Sequence, residues 1–69
     1  MKKAYKIENL CCAHCANKIE RLVSKIKGVE EANLNFMLQK LIVETEGDVT
    51  AEIEKIVRKI EPDCKVISL

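Results

Sequence analysis

The order in which hydrophobic periods follow one another constrains this chain more than any other feature. The stretch KAYKI, Lys3 to Ile7, alternates and sets Tyr5 and Ile7 on one face, the period of a strand. From Ala13 to about Lys27 the period changes. Ala16, Ile19, Leu22, Val23 and Ile26 recur at helical spacing, and Gly28 follows as a stop. Val29 to Phe36 alternates again, with Ala32, Leu34 and Phe36 opposed to Asn33 and Asn35. Met37 to Gln39 is short enough for a turn, and Lys40 to Glu44 returns as its hairpin partner. Glu46 to Asp48 interrupts the strand and offers Asp48 as a helix N-cap. Val49, Ile53, Ile56, Val57 and Ile60 form a second helical stripe, Pro62 ends it, and Cys64 to Leu69 reads as a last strand. The order is βαββαβ. Right-handed crossovers turn that order into an α+β, ferredoxin-like sandwich: a four-stranded antiparallel sheet, first and third strands central, with both helices on one face. In this arrangement the loop before helix 1 and the loop before the last strand share one end. Met37 is expected in a turn at the far end.

At 69 residues the chain is read as one domain, residues 1–69, with a thin core of Ile, Leu, Val and Ala, since it has one Tyr, one Phe and no Trp. Lys and Glu are interspersed and the net charge is only +1, so there is no basic stripe or aromatic platform for nucleic acid. Two lysines near the N-terminus have no apolar run behind them, unlike a signal peptide. No stretch reaches the length of a membrane span. The expected setting is cytosolic, without membrane contact by this chain itself. Thiols stay reduced there, so the four cysteines read as metal-binding or redox-active rather than as a disulfide framework.

Three of the four fall within five positions of LCCAHCAN, Leu10 to Asn17. Cys12 and Cys15 form a C-x-x-C pair at the expected start of helix 1, where free N–H groups and the positive end of the helix dipole favour thiolate. Thiolates suit soft ions such as Zn(II) and Cu(I). Two of them fill a linear site but leave a tetrahedral one half empty, which suits transfer better than permanent binding. A structural zinc site asks for four ligands, often two such pairs, and there is one pair here. Thioredoxin-like oxidoreductases also carry C-x-x-C at a helix start. They are longer, and this motif has neither a Pro between its cysteines nor an aromatic residue before them.

On a βαββαβ chain, NLCCAHC resembles the heavy-metal-associated domain, the family of small copper chaperones and of N-terminal metal-binding domains of P-type heavy-metal ATPases. The usual motif there is G-M-x-C-x-x-C. Asn9 stands at the Gly position, Leu10 at the Met position, Cys11 at the variable position, and Cys12 and Cys15 at the ligand positions. The stretches KGVEEANLNF and KLIVE resemble the family's second and third strands. CANKIE, LNFMLQKLIVE and IEPDCKV look more like the zinc/cadmium branch, where an Asp before the first ligand cysteine acts as an added ligand. Here that position is Cys11. The resemblance therefore implies a metal site of Cys11, Cys12 and Cys15, binding Cd(II), Zn(II) or Pb(II) in a three-sulfur shell.

The remaining candidates are read more plainly. Cys64 lies near the motif loop in the expected arrangement, which leaves a fourth thiolate as an alternative, but it shares a face with Val66 and is assigned to the core. Asp63 is assigned to a solvated turn and His14 to solvent. Leu10 is expected to pack under the loop as an anchor. Lys18, Glu20, Arg21, Lys25 and Lys27 form a solvated helix face. The resemblance implies a non-enzymatic domain that binds a soft heavy-metal ion and passes it to other domains of an exporting P-type ATPase or to a metal donor or acceptor protein. Two alternatives stand beside it: a free-standing Cu(I) metallochaperone and a small thiol–disulfide oxidoreductase. The chain is expected to be a monomer whose exposed thiols can bridge two copies through a shared metal.

Overall fold

The computed structural model describes residues 1–10 and 12–69. The elements are β1 (Lys2–Glu8), α1 (Ala13–Ser24), β2 (Val29–Asn35), β3 (Lys40–Thr45), α2 (Thr50–Ile60) and β4 (Lys65–Ser68). One antiparallel sheet runs in the order β2-β3-β1-β4, so the first and third strands are central as expected. Tyr5 pairs with Leu41 across β1 and β3, and Ile7 with Val66 across β1 and β4. These alternating residues carry the inner face. Tyr5, Ile7, Leu41 and Val43 are fully buried with Ile19 and Val23 of α1 and Ile53 and Val57 of α2. Each such side chain contributes about 1.5–3 kcal/mol by leaving water. The Tyr5 hydroxyl shares a 2.9 Å hydrogen bond with Thr50 Oγ1, so the one large polar group in the core is satisfied.

Several expectations shift. Helix α1 ends at Ser24 rather than near Lys27, because the chain tightens: Lys25 N–H donates to Leu22 O and Ile26 N–H to Val23 O. Gly28 then takes φ +96°, which L side chains rarely adopt. Leu22 is 36% exposed and lies outside the buried stripe of Ala16, Ile19 and Val23. Glu20 is more than a solvated charge. Its carboxylate accepts the Leu34 N–H at 2.6 Å and so satisfies a backbone donor of the edge strand β2. The N-cap position of α2 is Val49, which has no acceptor. Asp48, one residue earlier, does the capping chemistry instead: its Oδ1 accepts Thr50 N–H at 3.0 Å and Thr50 Oγ1–H at 2.6 Å. Strand β4 starts at Lys65, leaving Cys64 just outside it.

The largest correction concerns Met37. Lys6 pairs with Lys40, and Glu8 with Lys65. The end of β1 therefore meets the start of β3 and the start of β4. The β2–β3 turn lies at the motif end, not the far end, and Ile7 N–H donates to Gln39 O at 2.8 Å. Met37 and Leu38 are 87% and 65% exposed there.

Two measurements check this account. Ile53→Ala should lower unfolding stability by about 2–5 kcal/mol in a urea titration, because a fully buried side chain leaves a cavity. Bonding to Thr50 and the nearby Lys3 ammonium hold the Asp48 carboxyl below its ordinary 3.8. A lowered folded value means that stability is present above 3.8 and lost as the pH falls through the folded value. Asp48→Ala should therefore melt below wild type at neutral pH, with the two melting temperatures converging in acid below that value.

Candidate metal centre

The site is built on the end of β1. Asn9 follows the strand with φ +66°, a left-handed turn that Asn tolerates better than most residues. Its Nδ2 donates to Asp63 O at 3.3 Å. Leu10 turns inward and is 1% exposed, which makes it the anchor expected from its position. The Leu10 carbonyl is held from above by Gln39 Nε2 at 2.6 Å. Cys12 then serves as N-cap of α1: its backbone is extended, and its Sγ accepts Cys15 N–H at 3.3 Å. Sulfur here takes the place that Ser or Asp oxygen usually fills.

Opposite, α2 ends as Glu61 N–H donates to Val57 O at 2.7 Å. Pro62 forbids continuation and keeps Glu61 extended. The turn Glu61-Pro62-Asp63-Cys64 closes with Cys64 N–H on Glu61 O at 3.0 Å. This turn aims the Glu61 carboxylate at the thiols. One ligand atom each from Cys12, Cys15 and Glu61 lie within 4.8 Å of one another, all half-buried. Tetrahedral zinc with Zn–S bonds near 2.3 Å separates its sulfurs by roughly 3.8 Å, so closing on an ion asks for side-chain movements of at most about an ångström.

Electrostatics distinguishes the two thiols. Hydrogen bonds from the Cys15 side chain and N–H pull the Cys12 thiol below its ordinary value. Cys15 is pushed up to about 12, first by its bond to the Glu61 carboxylate, then by its bond to Cys12. Cys15 therefore keeps its proton at neutral pH, bonded to Glu61 and to Cys12.

Of the sequence-predicted residues, Cys12 and Cys15 are brought together. Cys11 lies outside the described residues. Cys64 is half-buried against the core, as expected, and is not part of the Cys12–Cys15–Glu61 group. His14 is exposed and Asp63 is an exposed turn residue. Glu61 was missed. Its signal was present: an acid immediately before the Pro that ends α2, in the loop expected to share an end with the motif.

The heavy-metal-associated domain family matches residues 4–65. A cadmium, zinc and cobalt-transporting ATPase of Bacillus subtilis is 37% identical over 70 residues, covering 96% of this chain and 10% of the ATPase. The N-terminal domain of ZntA in its apo form superposes with a TM-score of 0.80 at 26% identity, covering 99% of this chain and 90% of that one. The N-terminal domain of a potential copper-translocating P-type ATPase from Bacillus subtilis, in its Cu(I)-loaded state, gives a TM-score of 0.79 at 33% identity, covering 97% and 84%. The chain belongs to the heavy-metal-associated domain family, and its sandwich is that family's ferredoxin-like fold. It spans about a tenth of the length of the ATPase relative. Among the described residues no helix is long and apolar enough to cross a membrane.

The asymmetry of the thiols is directly measurable. In reduced, metal-free protein at mildly alkaline pH, iodoacetamide should label Cys12 before Cys15, because the thiolate is the reacting form. Peptide mass mapping over time reads the order. Equal rates at the two sites would contradict the proton placement.

Proposed function

We propose that residues 1–69 act as one domain that binds a soft divalent heavy-metal ion, Cd(II) or Zn(II), with Pb(II) suited to the same donors, and hands it on. The observation that carries this reading is the convergence of Cys12, Cys15 and Glu61 on one point. Two thiolates and a carboxylate carry three negative charges. A divalent ion leaves one uncompensated, whereas Cu(I) leaves two and gains little from an oxygen donor. Cys11, adjacent to Cys12, supplies a further thiolate, giving a shell of sulfur plus one oxygen.

The setting that fits is the cytoplasmic N-terminal domain of a heavy-metal-exporting P-type ATPase, with other domains of that protein or a metal donor as partners. The domain itself performs no catalysis. Transfer proceeds by ligand exchange: a cysteine or carboxylate of the partner enters as one of this chain's donors leaves. Half-buried ligands on turns allow that approach. A free-standing Cu(I) chaperone is the second reading, supported by the likeness to the Cu(I)-loaded domain. The carboxylate beside the thiols weighs against it.

X-ray absorption at the cadmium edge tests the shell. Reduced protein with one Cd(II) should show sulfur from Cys11, Cys12 and Cys15 and one oxygen. Cys11→Ser should remove one sulfur. Glu61→Gln should remove the oxygen and weaken Cd(II) binding roughly ten- to hundredfold, the scale of a lost charged contact. A two-sulfur shell indifferent to both substitutions would overturn the divalent reading in favour of Cu(I).

A further inference from the structure

Among the described residues, two that are not glycine have positive φ: Asn9 at +66° and Gln39 at +53°. Such backbone costs free energy and tends to gather where surrounding structure puts it to use. Both residues stand at the metal end, and both spend their side chains on bonds between loops. Gln39 donates to Leu10 O and so holds the thiol loop against the β2–β3 turn. Asn9 donates to Asp63 O and so ties the thiol loop to the turn that carries Glu61. The two bonds hold different things. Gln39 bonds to the backbone two residues before Cys12, whereas Asn9 bridges the thiol loop to the turn that bears the carboxylate.

The Asn9 position adds a second point. Gly is the other residue that enters this backbone region freely. Asn keeps the turn and adds an amide arm. That arm reaches the tip of the Glu61-Pro62-Asp63-Cys64 turn, two residues from the carboxylate, and the turn is itself closed by the Cys64 N–H to Glu61 O bond. Holding Asp63 thereby holds Glu61 over the thiols.

We infer that Asn9 is a specificity-determining positioning residue: its amide keeps Glu61 within reach of a metal held by Cys12 and Cys15, and so favours divalent ions over Cu(I). The inference rests on the reading of Cys12, Cys15 and Glu61 as the metal site. A linear Cu(I) site on two thiolates does not use Glu61, so its affinity is independent of this bond. A divalent ion gains the carboxylate only while the turn is held in place.

Asn9→Gly is the decisive variant, because glycine retains the left-handed backbone and removes the amide alone. Competition titrations against chromophoric chelators, with Cd(II) and separately with Cu(I), read the effect. Cd(II) affinity should fall roughly three- to tenfold, the scale of one partly exposed hydrogen bond. Cu(I) affinity should stay within about twofold of wild type. The oxygen contribution in the cadmium absorption spectrum should weaken in parallel. In a Glu61→Gln background the same substitution should have no further effect on Cd(II), since the donor it positions is gone. Equal losses for the two ions, or an undiminished Asn9→Gly effect in that background, would show a general structural role and overturn the inference. An unchanged Cd(II) affinity in Asn9→Gly, with Glu61→Gln weakened, would overturn it while leaving the site intact. An unchanged affinity in Glu61→Gln would overturn the site reading and the role of Asn9 together.

Discussion

The pairing of β1 along both of its edges is the constraint on which the rest of the molecule depends. Because β3 lies on one side and β4 on the other, the end of β1 emerges between Lys40 and Lys65. Whatever follows β1 is flanked by the β2–β3 turn and the α2–β4 turn. The register that fixes this is set by the core. A one-residue slip of β1 would turn Tyr5 and Ile7, both fully buried, out to solvent. The apolar interior therefore decides, at a distance, that the C-x-x-C loop meets Glu61.

Charge then decides what such a meeting can hold. A thiol packed within 4.8 Å of other acidic donors resists ionisation, as Cys15 does here. Cys12 Sγ accepts the Cys15 N–H at the start of α1, while the Cys15 thiol, bonded to Glu61 and to Cys12, is pushed up to about 12 and keeps its proton. That proton occupies the role a cation would take. Binding must displace it, which couples metal uptake to proton release.

Much of this architecture was legible in the sequence, and the failures have definite causes. Alternation and helical spacing located all six elements, because the period of burial differs between strand and helix. Leu22 misled because a stripe drawn for an isolated helix is wider than the face α1 presents to the sheet. The Asp48 cap was right in chemistry and displaced by one residue, as the side chain reaches past Val49 to Thr50. Met37 was assigned to the wrong end, although the expected strand order already implied the right one: an antiparallel β3 beside β1 must begin where β1 ends. At the site, the C-x-x-C pair was visible from spacing alone. Glu61 was passed over as one glutamate among many in a lysine- and glutamate-rich chain. Its place just before Pro62, in the loop that returns to the motif end, is what separates it from Glu52 or Glu54.

The donors at this end are unequal, and that inequality bears on transfer. Thiolates hold soft ions strongly, and a carboxylate oxygen holds them weakly. Beneath the site, Ile7 and Leu10 are locked in the core. Above it, Glu61 sits on a turn tied to the thiol loop by the hydrogen bond from Asn9, and its carboxylate is bonded to Cys15. In the exchange proposed here, the weakest donor is thus also carried by a surface turn, whose Pro62 and Asp63 are exposed. An incoming thiolate can displace the carboxylate first, while Cys12 and Cys15 keep the ion, and the protein need not reorganise its core. A fourth strong ligand from a buried position would close the site and trap the metal.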